Sequence, residues 1–133
     1  MKAIDTTVLL DHSRGLEKAH TVVTRIRALG GIATTEFNAY EVLSGVYNRP
    51  REEARIRAIR FDGFLQRLTV LPFGRAAAHR AAKIYCEMAE KGHTVDDMDL
   101  LIAATCLTAN VDTIVTRNRK HFERIPGLKV ETY

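Results

Sequence analysis

The stretch Ala19-His20-Thr21-Val22-Val23-Thr24-Arg25-Ile26-Arg27-Ala28-Leu29-Gly30-Gly31-Ile32-Ala33-Thr34 changes its period partway along. Ala19, Val22, Val23, Ile26 and Leu29 recur at the spacing of one helical face, two glycines stop the pattern, and Ile32-Ala33-Thr34 reads as a short strand. The same alternation continues on both sides. Upstream, Lys2-Ala3-Ile4 is a short apolar opening. Downstream, Phe37, Tyr40, Val42, Leu43 and Val46 predict a helix ending before Asn48-Arg49-Pro50, because proline disfavours helical geometry in the residue before it. Ala54, Ala58, Phe61, Leu65 and Leu68 predict a third helix, and Leu68-Thr69-Val70-Leu71 a strand bounded by Pro72. Ala78, Ala81, Ala82, Tyr85, Met88 and Ala89 mark another helix, closed by Gly92; an apolar helix follows Asp99, and strands near 113–115 and 128–132 finish the chain. Strands separated by helices pair in parallel through right-handed crossovers, so the class is α/β with a central parallel sheet.

At 133 residues, with no internal repeat and no linker, residues 1–133 are expected to form a single domain. Apolar residues make up 46% and charged residues 27%, which excludes a disordered chain, and no apolar run approaches the roughly 18 residues of a membrane span. The start lacks the basic-then-apolar pattern of a secretory signal. Cys86 and Cys106 sit in helical patterns without metal-ligand spacing, so both read as core filler in a reducing cytoplasm. The formal charge of +4 and pI of about 9.3 favour a polyanionic partner, though weakly.

In open parallel sheets the functional crevice lies outside the carboxyl ends of the strands, where the strand order reverses. Asp5, Thr34-Thr35 and Thr116-Arg117-Asn118 all follow strand-like segments; Glu41 would reach the same rim from the helix after the second strand, and Asp99 from the first turn of its own helix. Two full charges about 5 Å apart repel by roughly 3 kcal/mol at an effective dielectric near 20, so three carboxylates together need a proton, a basic neighbour or a cation. Oxygen ligands without clustered His or Cys favour Mg²⁺ or Mn²⁺ over Zn²⁺. Such an ion acidifies water and neutralises charge on a phosphoryl oxygen, which points to phosphodiester hydrolysis.

Four segments, in order, resemble one family: Ile4-Asp5-Thr6-Thr7-Val8-Leu9-Leu10, Glu41-Val42-Leu43-Ser44-Gly45, Asp97-Met98-Asp99-Leu100-Leu101-Ile102-Ala103-Ala104 and Val115-Thr116-Arg117-Asn118-Arg119-Lys120-His121-Phe122. They are similar to the PIN-domain ribonucleases, in particular the toxin half of VapBC-type toxin–antitoxin pairs. The resemblance implies a PIN-like three-layer fold with a five-stranded parallel sheet in order 3-2-1-4-5. It also implies Mg²⁺- or Mn²⁺-dependent endoribonuclease activity on structured RNA, tRNA or rRNA, leaving 5′-phosphate and 3′-hydroxyl ends. By position, Asp5 and Asp99 would be the principal metal ligands, Glu41 would bind directly or through water, and Asn118 would occupy the fourth acidic position with one charge fewer. Thr7 departs from the family's usual Asn and cannot reproduce an amide's two donors. Thr6, Thr7, Asp97 and Thr116 would support the ligands. The resemblance further implies a homodimer and a cognate antitoxin whose arginines would fill the carboxylate cluster.

Arg117, Arg119 and Lys120 leave the same rim and are candidates for RNA phosphate contacts, whereas the arginines of 49–60 are interleaved with Glu52 and Glu53 and read as a solvated helix face. The histidines, His12, His20, His79, His93 and His121, are scattered and offer no pair for attack by a 2′-hydroxyl. The alternative reading is a catalytically inactive PIN-like domain that binds RNA or protein, suggested by Thr7 and Asn118. An aspartyl-phosphate phosphatase fits less well, because Thr7 stands where a second Asp is needed.

Overall fold

The computed structural model describes residues 1–133. Its elements run β1 (Lys2–Ile4), α1 (Thr6–Ser13), α2 (Glu17–Ala28), β2 (Ile32–Thr35), α3 (Glu36–Tyr47), α4 (Arg51–Leu65), β3 (Thr69–Leu71), α5 (Arg75–Glu90), α6 (Asp97–Thr108), β4 (Thr113–Val115), α7 (Arg119–Phe122) and β5 (Lys129–Glu131). All strands are parallel, in the order β3-β2-β1-β4-β5. The α/β class and the strand order 3-2-1-4-5 are therefore those expected.

Successive strand residues face opposite sides of the sheet, and each side has its own core. Ala3, Ala33 and Ile114 pack with Ile84 and Met88 of α5 and Ile102, Ala103 and Cys106 of α6. Ile4, Ile32 and Val115 pack with Val8 and Leu9 of α1, Val22 and Ile26 of α2, Val42 of α3 and Phe61 of α4. The result is three layers, helices on both faces of a sheet buried on both faces, which is why its strands read as continuous apolar runs rather than alternating ones.

Two punctuation signals are resolved in the backbone. Gly30 and Gly31 have φ of 139° and 94° between α2 and β2, values that glycine alone adopts without strain. Asn110 ends α6 at φ 60°; its N–H bonds to the carbonyl of Leu107, and Val111 N–H to that of Cys106, a Schellman closure with Asn in the glycine position.

Several expectations fail. The run Thr6–Ser13 is a separate helix that the periodicity did not announce, since Val8-Leu9-Leu10 is a continuous apolar run; α7 is a single turn and equally silent. The third helix stops at Leu65, leaving Leu68 in a turn. Leu29, Tyr40 and Tyr85, all counted in apolar patterns, are exposed, as is Cys86, so only Cys106 fills core. No helix is long and apolar enough to cross a membrane.

Candidate active site

β1 lies between β2 and β4, so the strand order reverses beside it. Asp5 is the first residue beyond β1 and Thr116 the first beyond β4; Asp5 N–H donates to the carbonyl of Val115 at 3.0 Å, which holds the two strand ends together. Asp5 is 5% exposed, so its carboxylate must be satisfied by the protein. Thr116 Oγ1 donates to Asp5 Oδ2 at 2.8 Å, Asn38 Nδ2 donates to Asp5 Oδ1 at 3.1 Å, and Thr7 Oγ1 stands 3.5 Å from Oδ2.

Glu41 lies on α3, whose start is fixed by a reciprocal cap: Thr35 Oγ1 accepts from Asn38 N–H, and Asn38 Oδ1 accepts from Thr35 N–H. That cap aims Asn38 at the centre, where its Nδ2 also donates to Thr6 Oγ1 at 3.0 Å; Thr6 in turn donates to Glu41 Oε1 at 2.7 Å. A relay of Asn38, Thr6 and Glu41 thus runs beside Asp5. Partial burial raises the Glu41 pKa above the ordinary carboxylate range, and the charges of Asp5 and Asp96 add to the rise.

Asp99 is in the first turn of α6, whose N-cap is Asp96, the side chain accepting from Met98 N–H at 2.9 Å. Asp99 is pushed up to about 6, first by burial, with Asp96, Asp5 and Glu41 adding to the rise and His121 opposing it. His121 Nδ1 stands 3.1 Å from Asp99 Oδ2. Four acidic side chains on three elements therefore feel one another at the carboxyl rim of the sheet.

No three His, Cys, Asp or Glu side chains converge tightly enough, as they stand, to ligate one ion. Burial is the first cause of the raised Glu41 and Asp99 pKa values, and the charges of Asp5 and Asp96 add to both. Asp5 is fixed by its donors; Glu41 and Asp99 are only partly buried, each with a single close partner, and can adjust. An all-oxygen donor set of this kind fits a hydrated Mg²⁺ or Mn²⁺, which keeps water between itself and some of its ligands, and suits Zn²⁺ poorly.

The remaining candidates are placed unevenly. Thr7 Oγ1 contacts Thr116 Oγ1 at 3.3 Å and accepts from Arg117 N–H at 3.1 Å, so it ties the loop after β4 to α1. Asn118 is exposed; its N–H donates to Thr116 Oγ1 at 3.0 Å, and its side chain makes no hydrogen bond to the carboxylates. Asp97 is exposed without a side-chain partner, and its neighbour Asp96 is the one whose charge reaches Glu41 and Asp99. Arg119 pairs with Glu123, the residue that follows α7, at 3.4 Å, Lys120 is exposed, and Arg117 pairs with Asp11 at 3.0 Å. Arg49, just before α4, pairs with Glu53, and on α4 Arg55 pairs with Glu52 and Arg57 with Glu53, all of them exposed pairs. Sequence reasoning did not single out Asn38; the available signal was Thr35 followed three residues later by Asn38 at a strand–helix junction. A cleft of about 660 Å³ between α1, α3 and α4 is lined by Leu9, Val42, Phe61, Phe64, Arg14 and Arg60 among others, and by none of the three carboxylates.

A family model, the PIN domain, matches residues 2–128. The chain is 35% identical over 130 residues to Ribonuclease VapC19 of Mycobacterium tuberculosis, covering 97% of this chain and 98% of that protein. It is 38% identical over 72 residues to the tRNA(fMet)-specific endonuclease VapC of Salmonella typhimurium, covering 54% of each. Among solved structures, that of VapBC2 from Rickettsia felis bound to a DNA fragment from their promoter superposes with a TM-score of 0.83 at 25% identity, covering 99% of this chain and 98% of that one.

Proposed function

Because the chain belongs to the PIN domain family, we propose that it is a metal-dependent endoribonuclease, the toxin component of a type II toxin–antitoxin pair, acting on tRNA or rRNA through Asp5, Glu41 and Asp99. The observation that carries the reading is the bracing of Asp5 at the reversal point of the sheet by Thr116 and Asn38, with the Asn38–Thr6 relay reaching Glu41 beside it. The name of the Mycobacterium tuberculosis relative supports RNA as substrate, and that of the Salmonella typhimurium relative supports tRNA.

Asp5, Asp99 and Glu41 would hold Mg²⁺ or Mn²⁺, which supplies Lewis-acid neutralisation of charge developing on a phosphoryl oxygen and lowers the pKa of water. The protein's own part is orientation. Asp5 is held by donors on both oxygens, so its carboxylate is oriented before charge develops. Glu41, held by Thr6, and Asp99 would orient the attacking water. Water oxygen bonds to phosphorus as the bond to the 3′-oxygen breaks in line; the leaving oxygen takes up a proton, giving a 5′-phosphate and a 3′-hydroxyl. Asn118 lies at the edge of this centre as an uncharged polar group, and Arg117, Arg119 and Lys120 offer positive charge to the RNA backbone.

The same reading gives the chain a cognate antitoxin, a homodimeric state and a cytoplasmic site of action as one domain spanning residues 1–133. The Rickettsia felis VapBC2 structure supports the antitoxin partner. The test is cleavage of a tRNA and rRNA panel in Mg²⁺ or Mn²⁺, beside EDTA and the variants Asp5→Asn and Asp99→Asn, with mapping of the end groups. Cation-dependent cuts bearing 5′-phosphates and lost in both variants establish the activity. Intact RNA throughout, with no cation binding by calorimetry, would make the chain a non-catalytic PIN-like binding domain.

A further inference from the structure

Asp11 is a buried charge that the carboxylate centre leaves unused. It is 3% exposed on α1, and its Oδ2 accepts from the Tyr133 hydroxyl at 2.5 Å and pairs with Arg117 Nε at 3.0 Å. Its Oδ1, equally buried, has no donor. Both partners engage the same oxygen, so Asp11 holds the Tyr133 hydroxyl and the Arg117 guanidinium together.

Arg117 is tied down at both ends. Arg117 N–H donates to Thr7 Oγ1, Thr7 touches Thr116 Oγ1, and Thr116 donates to Asp5 Oδ2, so the main chain of Arg117 belongs to the network that orients Asp5. Its side chain, 49% exposed, turns Nε towards Asp11. A guanidinium is a rigid planar fork, so fixing Nε inward fixes the direction of the two outer nitrogens. Tyr133 braces Asp11 from the other side; burial and the Asp11 carboxylate push its phenol up to about 12, so it stays a neutral donor. Arg119 is instead committed to Glu123, the residue that follows α7, and Lys120 has no partner that would aim it.

We propose that Arg117 contacts an RNA phosphate at the mouth of the site, and that Asp11 and Tyr133 are positioning residues that aim its guanidinium. The inference rests on the ribonuclease reading above and deepens it. Phosphate recognition by a pre-oriented Arg fork is geometric as well as electrostatic, so loss of the aiming residues weakens binding even though Arg117 keeps its charge.

The test measures binding of a fluorescently labelled tRNA(fMet) transcript across a salt series, in an Asp99→Asn background that silences cleavage, with cleavage by the otherwise wild-type chain read in parallel. Arg117→Ala is expected to weaken binding about tenfold and to lower the salt slope by about one. Asp11→Asn and Tyr133→Phe are expected to weaken it about threefold to fivefold, and to add nothing to Arg117→Ala. Tighter binding by Asp11→Asn would show that Asp11 merely cancels the charge of Arg117 and overturns the proposal. So would unchanged binding in either variant, or a loss that persists in the Arg117→Ala background, which would place the effect in the fold. If Asp11→Asn does not fold, Tyr133→Phe, which removes one hydroxyl, decides alone. Wild-type cleavage with unaltered variants sinks this inference only; a wild-type chain that neither cuts nor binds RNA sinks the ribonuclease reading, and this inference with it.

Discussion

Asn38 Nδ2 lies 3.1 Å from Asp5 Oδ1 while Asn38 Oδ1 caps Thr35, so a single amide fixes both the start of α3 and the direction of the Asp5 carboxylate. Asn38→Ala removes a buried cap and leaves an acceptor on Asp5 unsatisfied, at a cost of about 2–4 kcal/mol. Chemical denaturation should show the lower midpoint, and cleavage should fall about tenfold or more as Asp5 is freed to reorient. A variant with wild-type midpoint and wild-type rate would remove Asn38 from the centre.

Asp99 gives the site a pH signature. Its pKa is raised in the folded chain from an ordinary 3.8 to about 6, so the folded state holds the proton more tightly than the unfolded one. The group is neutral in both states below pH 3.8, and its destabilisation grows as pH rises towards about 6 and is complete above it. Allowing for solvent screening, the effect is on the order of 1 kcal/mol. Asp99→Asn should therefore gain stability over wild type at pH 7.5 and lose that advantage near pH 4. His12 acts in the opposite sense: burial, then His20 and Arg27, lower its pKa, so stability declines as pH falls below 6.5. The Asp99→Asn comparison isolates the carboxylate because His12 is common to both proteins.

A divalent cation should supply what the cluster lacks. Mg²⁺ or Mn²⁺ at about a hundred times its Kd should stabilise the wild-type chain by about 2.7 kcal/mol, read as a rise in the thermal midpoint without any RNA present. Asp5→Asn and Asp99→Asn should blunt the rise. An identical response in all three proteins would put the cation elsewhere.

The two thiols should separate cleanly. Cys106 is fully buried and its thiol is pushed up to about 12 by burial, with the Asp5 charge adding to it, whereas Cys86 is exposed on α5. A thiol reagent should titrate one group in the native chain and two after denaturation. Two fast-reacting thiols in the native state would contradict the packing of α6.

The features legible in the sequence were those whose cause is local. Helix faces, the Gly30-Gly31 break and the Asn48-Arg49-Pro50 stop are written in neighbouring residues, and so are the strand ends that place Asp5 and Thr116. The helix α1 escaped because eight residues directly after a strand leave no room for a period to declare itself. Asn38, His121 and Asp11 escaped for a different reason. Asn38 meets Asp5 across 33 residues and Tyr133 meets Asp11 across 122, and no spacing rule reaches that far. Asp97 and Asp96 illustrate the limit at its finest: adjacent residues of one type, of which the helix start turns Asp96 into the cap and leaves Asp97 exposed.

The central place of β1 in the sheet has a consequence for how the chain is made. Asp5 is made 111 residues before Thr116, the threonine that orients it, and β4 must insert beside β1 before the two can meet. Throughout synthesis of the intervening segment the nascent chain carries the acid without its brace. A chain that stops before β4 therefore lacks the threonine that orients Asp5, and the brace forms only when β4 has joined the sheet.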